Sequence, residues 1–309
     1  MAGREVAPAR IWAGLLVIYV VWGSTYLGIL LAIRTVPVFL LGAIRFLVAG
    51  SLLYAWSIRR GDRRGDRPGL REWGAAAIVG TLLFLGGNTG VAWAEKRVPT
   101  GTASLVIATI PLWMALFDRI ACGQGLSRLA VVGLVLGFAG AAVLAGPGSA
   151  SIDTTGLIVL LVAASAWAAG SLYSRRAPLP RRPLVSSSMQ MLVGGALLLV
   201  VGLGSGERIH QVSTESALAV AYLVVFGSIL AFSTYAWLLR VARTSLVSTY
   251  AYVNPLVAVF LGWGFESETV GPRVLIAGAM IVGAVALIVG AQSRRPAEVL
   301  TGAAPVRAR

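Results

Sequence analysis

The sequence has little charge and almost none of the side chains that build metal centres or disulfides. Charged types make up 12% of its 309 residues, roughly half of what a soluble domain carries. The one cysteine, Cys122, and the one histidine, His210, both fall in predicted loops, and we interpret them as residues without a functional role. No disulfide within the chain and no Cys/His metal cluster can form. We therefore expect neither a metal nor a cofactor.

Long apolar segments fill most of the chain instead, since hydrophobic types make up 57% of it. Each segment is about 18 to 23 residues long, which is the length that crosses a bilayer as a helix. The segments are 11–31, 37–57, 73–94, 100–117, 129–146, 155–173, 183–203, 217–239, 245–265 and 274–291. They predict an all-α polytopic membrane bundle of ten transmembrane helices. The first is too long for a cleaved signal peptide and is followed by nine more, so we expect it to be retained.

Chemically active side chains are missing from the interior of these segments. None contains Asp, Glu, Lys or His well inside it. A membrane hydrolase needs a Ser/His pair, a metal set or paired acids, so the sequence argues against an enzyme. The same absence argues against a carboxylate proton relay of the kind found in many pumps.

The net charge of +14 is distributed in a way that indicates topology. With a cytoplasmic N-terminus, the outer loops hold five basic residues, and twenty others fall on the inner side, whereas the acidic residues divide evenly. The five are Arg34, Lys96, Arg97, Arg208 and Arg273. This positive-inside pattern predicts cytoplasmic N- and C-termini. We expect the membrane to be a bacterial plasma (inner) membrane. It also accounts for the charge without nucleic acid as a partner.

A weak internal repeat relates the two halves of the chain when residues 92–112 are shifted by 144 positions. The aligned pairs are Ala92-Trp93 with Ala236-Trp237, Thr100 with Thr244, Ser104 with Ser248, and Pro111-Leu112 with Pro255-Leu256. Equivalent positions lie five predicted spans apart, and an odd number of crossings inverts the second copy. We therefore predict two inverted five-helix repeats, 11–146 and 155–291, with a substrate site between them near the midplane.

Arg45 is the one formal charge inside a predicted span. It lies eight residues after Pro37, which is about 12 Å along a helix. A buried arginine has to face carbonyls, a cavity or a partner. Two interpretations stay open: Arg45 contacts an anionic group of a substrate, or it bonds to carbonyls and holds a neighbouring helix in place.

Two prolines, Pro111 and Pro255, fall inside the fourth and ninth predicted helices. Each removes an amide donor and frees the carbonyl four residues earlier, which needs another partner in a membrane. The matched positions predict either a hinge beside a cavity or static kinks that serve packing. Asn254, next to Pro255, favours the cavity because a side-chain amide is costly in lipid unless it has a polar partner or faces a cavity.

Further polar and aromatic side chains fall at similar depths in other predicted helices. Three glycines around Asn88 weaken that helix, and Trp22 lies mid-span, where an interfacial aromatic belt does not explain it. Aromatic rings with a few hydroxyls and amides suit amphipathic organic solutes better than inorganic ions. The predicted cavity lining is Trp22, Asn88, Thr109, Trp167, Tyr235, Tyr250 and Asn254.

Four segments, in their order and spacing, resemble the drug/metabolite transporter superfamily and specifically its EamA-type ten-helix exporters. The segments are Trp22-Gly23-Ser24-Thr25-Tyr26, Arg45-Phe46, Ala108-Thr109-Ile110-Pro111-Leu112 and Tyr250-Ala251-Tyr252-Val253-Asn254-Pro255. The resemblance covers residues 11–291 and implies two inverted halves around a central cavity, with export of small metabolites, amino acids or drugs. Family members often carry Glu after helices 4 and 9. This chain keeps Glu266 and Glu268 but has Gln124 in the first of these stretches.

We therefore expect a secondary exporter that moves a small-molecule substrate through the lipid bilayer by alternating access, as a monomer or a homodimer. A flippase for lipids or lipid-linked carriers and a non-transporting membrane scaffold are the alternatives. The sequence leaves the substrate and the coupling open, whether facilitated diffusion or proton antiport.

Overall fold

The computed structural model describes residues 7–59, 68–122, 128–145, 153–242, 244–247 and 249–293. Over these ranges it contains helices and no strand, which confirms the all-α prediction. The basic loop 60–67, Gln124, Ser248, the segment after Ser293 and the side chain of Cys122 lie outside the description.

The described chain forms α-helices and two π-helical segments. The α-helices are α1 (Pro8–Ala32), α2 (Val38–Arg59), α3 (Leu70–Gly80), α4 (Thr89–Ala94), α5 (Thr100–Ile107), α6 (Ile110–Cys122), α7 (Arg128–Ala145), α8 (Thr154–Ser174), α9 (Pro183–Gly204), α10 (Thr214–Tyr222), α11 (Ala231–Val241), α12 (Thr244–Val247), α13 (Tyr250–Glu266) and α14 (Pro272–Ser293). The first π segment, Thr81–Asn88, joins α3 to α4, and the second π segment, Leu223–Leu230, joins α10 to α11.

Within the described ranges, seven helical stretches are long and apolar enough to cross a membrane. They are Pro8–Ala32, Val38–Arg59, Leu70–Ala94, Thr100–Ile120, Thr154–Ser174, Pro183–Gly204 and Thr214–Tyr235. Three shorter apolar helices, Val131–Gly140, Val253–Glu266 and Pro272–Leu287, fall on predicted spans as well. Length and hydropathy therefore agree with a membrane bundle of apolar helices.

The helices of the two halves interlock. Helix α1 packs against α10, α11 and α13, whereas α8 packs against α3, α4, α5 and α6. The first helix of each half thus lies against the third and fourth helical stretches of the other half. In the same way, α2 lies along α9, and α7 lies along α14. This exchange places residues from both halves around the centre of the bundle.

Close approach of these helices depends on glycine. A Cβ at Gly80 would lie 2.5 Å from the carbonyl oxygen of Gln190, so α3 and α9 touch through their backbones. A Cβ at Gly140 of α7 would lie 2.9 Å from Ile281 Cγ1 of α14. Without a hydrophobic driving force between helices in lipid, such small-residue contacts supply much of the packing.

The two prolines lie at different places relative to the ends of their helices. Helix α5 ends at Ile107 and α6 begins at Ile110, so Pro111 is the second residue of a new helix. Its missing amide costs nothing there, because the first-turn amides have no partner within a helix. Pro255 instead lies inside α13, several residues after that helix begins at Tyr250. The hinge role predicted for both prolines stays a prediction.

Candidate functional site

The two π segments occupy corresponding places in the two halves. Each lies in the middle of the third helical stretch of its half, and their first residues, Thr81 and Leu223, are 142 positions apart, close to the shift of the sequence repeat. Stretches of π-helix are rare and are frequently found at functional sites. Here each one widens the helix where it meets the centre of the bundle.

Arg45 of α2 joins the two π segments. Its Nε donates to Ser228 Oγ at 2.8 Å and its Nη1 donates to Asn88 Oδ1 at 3.3 Å. The guanidinium also lies 5.0 Å from the centre of the Phe46 ring. The residue is only 4% exposed. Among the described residues no carboxylate lies within ion-pair distance of Arg45, so its recorded polar partners are all neutral.

Gly227 in the second π segment lets the backbone of that segment approach this guanidinium closely. A Cβ on Gly227 would lie 3.1 Å from Arg45 Nη2 and 2.9 Å from Thr25 Cγ2. The Gly227 carbonyl accepts a hydrogen bond of 3.3 Å from the indole Nε1 of Trp22. The Gly227 backbone therefore fixes the Trp22 ring and packs beside Arg45 with no side chain between them.

An aromatic cluster surrounds Trp22. The Trp22 ring centre lies 5.3 Å from that of Phe232 and 5.1 Å from those of Tyr235 and Tyr250. Trp167, from α8, lies 6.5 Å from Phe232. Rings at these distances in tilted and edge-on arrangements attract one another and form a rigid apolar wall.

Arg45 and the aromatic cluster line one cavity of about 90 Å³. Its wall consists of Trp22, Thr25, Tyr26, Ile29, Arg45, Gly87, Asn88, Val91, Ile107, Ile110, Ala163, Trp167, Phe232, Tyr250 and Asn254. Both halves contribute to it. The wall includes five of the seven residues predicted from sequence, together with Arg45.

The other two predicted lining residues lie elsewhere. Tyr235 stands behind the wall and contacts the rings of Trp22 and Tyr250. Thr109 is fully buried, and its hydroxyl donates to the Val106 carbonyl at 2.6 Å. A threonine hydroxyl in a helix can satisfy itself on its own backbone, so it does not need a cavity.

Several wall residues were not predicted, although a signal for some of them exists in the sequence. Thr25, Tyr26 and Ile29 follow Trp22 at intervals of three, four and seven, which places them on one face of α1. Phe232 and Ile110 carry no such signal, because nothing distinguishes them from other apolar residues of their helices.

Asn254 combines a place in the wall with a structural bond. In the amide orientation that satisfies both ends of the side chain, its nitrogen donates to the carbonyls of Tyr19 at 3.2 Å and Tyr250 at 3.1 Å. Near it, the hydroxyls of Tyr19 and Thr249 form a further hydrogen bond between the same two helices. Asn254 therefore holds α13 to α1.

Carboxylates gather at one end of the bundle, which we call the acidic end. It comprises Glu95, Glu207, Glu215, Glu266 and Glu268. Arg34 pairs there with Glu215 at 3.0 Å and with Glu266 at 2.6 Å.

Two carboxylates of the acidic end accept backbone amides at helix N-termini. Glu268 accepts from the amides of Thr100 at 2.6 Å and Gly101 at 3.1 Å, where α5 begins. Glu207 accepts from the amides of Phe39 at 3.3 Å and Leu40 at 3.0 Å, in the first turn of α2. An anion at a helix N-terminus satisfies amides that have no partner within the helix and interacts well with the helix dipole.

Glu95 differs from its neighbours. It is 4% exposed, and neither of its carboxyl oxygens has a hydrogen-bond partner in the part of the chain that is described. Burial raises the pKa of the Glu95 carboxyl well above its ordinary value near 4.5, and the charge of Glu268 raises this pKa further.

Comparison with known proteins gives the family. The EamA-like transporter family model matches the chain twice, over residues 10–146 and 154–290. This chain belongs to the EamA-like transporter family. The resemblance inferred from the sequence is thereby confirmed, and so is membership in a family of membrane transporters with a two-repeat layout.

Two curated relatives of this EamA-family chain span nearly its whole length. It is 37% identical over 290 residues to "Uncharacterized inner membrane transporter YedA" of Escherichia coli K12, covering 93% of this chain and 92% of the relative. It is 29% identical over 283 residues to "Probable terminal-alkyne amino-acid exporter" of Streptantibioticus cattleyicolor, covering 90% of this chain and 92% of the relative.

A solved crystal structure shares the fold. It superposes with a TM-score of 0.64 at 24% sequence identity, covering 90% of this chain and 96% of the other. The arrangement of helices described above is therefore an arrangement that an experimental structure also contains.

Proposed function

We propose that this EamA-family chain is a secondary transporter that exports small organic solutes, such as amino acids, across the bacterial inner membrane. The observation that carries the proposal is the central cavity, whose wall draws on both halves and contains a buried arginine, two amides and an aromatic cluster. Membership in a transporter family and the amino-acid exporter among the relatives support it.

The proposed mechanism is alternating access by two inverted five-helix halves, 11–146 and 155–291, with ten crossings and cytoplasmic termini. The exchanged packing of α1 and α8 and the paired π segments support this symmetry. Inverted repeats typically place the substrate near the midplane, between the halves. We assign substrate contact to Trp22, Asn88, Trp167, Tyr250 and Asn254, all of which line the cavity.

A lipid or lipid-linked carrier flippase fits the cavity less well. Its volume of about 90 Å³ is below the roughly 300 Å³ at which pockets for drug-sized ligands begin. A scaffold without transport gives no reason for a buried arginine and amides around a cavity.

The test is counterflow in proteoliposomes with a panel of amino acids, nucleosides, sugars and cationic drugs. Trp22→Phe keeps most of the ring volume but removes the donor that fixes the ring on the Gly227 carbonyl, so we expect a slower flux because the wall is less well ordered. Trp263→Phe is the matched control, because Trp263 is 60% exposed on the outside of α13. Equal flux in both variants, with intact insertion and monodispersity, would remove Trp22 from the site, and no flux of any solute in the wild type would end the proposal.

A further inference from the structure

We propose that Arg45 binds the carboxylate of the transported solute, so that the central cavity selects small organic acids and amino acids over organic cations. This inference rests on the proposed transport function and names its substrate class. Its basis is the juxtaposition of a buried, unpaired guanidinium, a cavity and an apolar aromatic wall.

The first step is the charge of Arg45. Its guanidinium stays protonated in proteins, and burying such a charge without a counter-ion is costly. Other charges in the bundle are paired or lie at its ends, as Arg34 does between Glu215 and Glu266. In the described part of the chain, the hydrogen-bond acceptors of Arg45 are the neutral oxygens of Ser228 and Asn88. An anion entering the cavity would supply the missing countercharge.

The second step is the number of donors. A guanidinium carries five N–H groups in a planar fork, and the bonds to Ser228 and Asn88 use two of them. Arg45 lines the cavity, and Gly227, where a Cβ would lie 3.1 Å from Nη2, has no side chain that could block this nitrogen. A carboxylate matches this fork with two parallel hydrogen bonds, which a neutral or cationic group cannot make.

The third step is the remainder of the wall. Besides its polar side chains, the wall contains the rings of Trp22, Phe232 and Tyr250 and the side chains of Ile107 and Ile110. The cavity volume is about 90 Å³, which limits the solute to a small molecule. The site therefore suits a carboxylate that carries a short apolar chain. It does not suit a large lipophilic cation.

A purely structural role for Arg45 makes a different prediction. If the guanidinium only holds the two π segments together, its replacement lowers stability and slows every solute alike. If it binds a carboxylate, replacement changes the order of preference among solutes of equal shape. The test therefore compares solutes within each variant.

The experiment uses the full chain and three probes of similar shape: L-leucine, 4-methylpentanoate and 3-methylbutylamine. Binding is measured as the rise in melting temperature of the detergent-solubilised protein, and flux is measured by counterflow in proteoliposomes. We expect the two carboxylates to stabilise the wild type and to be carried, and the amine to do neither. Arg45→Gln should reduce carboxylate flux at least tenfold, with Arg45→Lys in between, because lysine keeps the charge but loses the fork.

The outcomes separate the two claims. If the wild type binds the amine and the acids equally, the Arg45 assignment is wrong and the transport proposal is unaffected. The same conclusion follows if the Arg45→Gln variant prefers acids as strongly as the wild type does. Acid-selective binding without flux of any solute supports the Arg45 site and overturns transport. If Arg45→Gln fails to fold, the wild-type ranking and the Arg45→Lys variant still decide.

Discussion

The centre and the acidic end of this bundle differ in how their charged side chains are paired. At the acidic end, Glu207 and Glu268 place their charges on helix N-termini, and Arg34 pairs with two further carboxylates. At the centre, Arg45 has a charge of the other sign and only neutral partners. Apart from Glu95, the carboxylates of the acidic end have an arginine or backbone amides as partners, whereas no carboxylate among the described residues lies within ion-pair distance of Arg45.

This contrast separates structural charges from functional ones. A carboxylate that accepts two backbone amides contributes to folding and leaves few lone pairs for a ligand. A guanidinium that lies beside a cavity and has unused N–H donors can bind a ligand there. We therefore attribute the carboxylates of the acidic end to the fold, and Arg45 to the substrate.

The largest expected effect comes from giving the centre the anion that it lacks. Asn88→Asp keeps the shape of the side chain and puts a carboxylate where Oδ1 now lies, 3.3 Å from Arg45 Nη1. The new internal ion pair should compete with the solute, so counterflow of 4-methylpentanoate should fall at least tenfold while the protein stays folded.

Ser228→Ala is the matched control for this change. It removes the hydroxyl that accepts from Arg45 Nε and adds no charge, so it should lower stability by about 2 kcal/mol and leave acid transport within a few-fold of the wild type. Undiminished acid transport in Asn88→Asp would show that the guanidinium does not meet the solute.

A smaller effect is expected from weakening a helix cap at the acidic end. Glu268→Gln keeps the shape but replaces one acceptor oxygen with an NH₂ group, which then faces the amide of Thr100 or Gly101. Loss of a charged cap costs about 2 kcal/mol, so the melting temperature should fall by roughly 3 °C. The solute preference should not change.

Glu266→Gln provides the comparison for Glu268→Gln. Glu266 lies two residues earlier and pairs with Arg34, which is 43% exposed in its side chain. Such a partly exposed pair contributes less than about 1 kcal/mol. If both variants melt alike, the carboxylate of Glu268 is not the cap of α5.

Part of this site could be predicted from the sequence because its residues are anomalies there. An arginine and a tryptophan within apolar segments stand out, and both Arg45 and Trp22 reach the cavity wall. Asn88 and Asn254 stand out for the same reason. The prediction for Thr109 had no comparable basis, since a hydroxyl can bond to its own helix and leave no trace in the pattern.

The remaining features depend on contacts that a local pattern does not contain. Ser228 lies 183 residues from Arg45 in the chain, so their hydrogen bond follows only from the exchanged packing of the halves. The π segments differ from α-helix in their backbone hydrogen bonds, and the spacing of apolar residues in the sequence does not predict this difference. Glu268 was expected from the family resemblance, but its bond to the first turn of α5 was not.

The smallest expected effect depends on pH and concerns Glu95, the one member of the acidic end without a hydrogen-bond partner among the described residues. Because burial and the neighbouring Glu268 raise its pKa in the folded state, the folded protein holds a proton that the unfolded chain releases above its ordinary pKa near 4.5. Folding then becomes less favourable as pH rises, from about 4.5 until the pH reaches the raised pKa. Glu95→Gln removes this proton linkage.

We therefore expect the melting temperatures of the wild type and of Glu95→Gln to agree near pH 4.5, and Glu95→Gln to melt a few degrees higher near pH 8. Glu215→Gln is the control, because it removes a negative charge from the same end but from a side chain that is 52% exposed. The assignment of a raised pKa to Glu95 would be wrong if the difference in melting temperature between the wild type and Glu95→Gln stayed constant with pH. Glu95 would then be ionised in the folded protein, and the acidic end would hold an unpaired buried charge as the centre does.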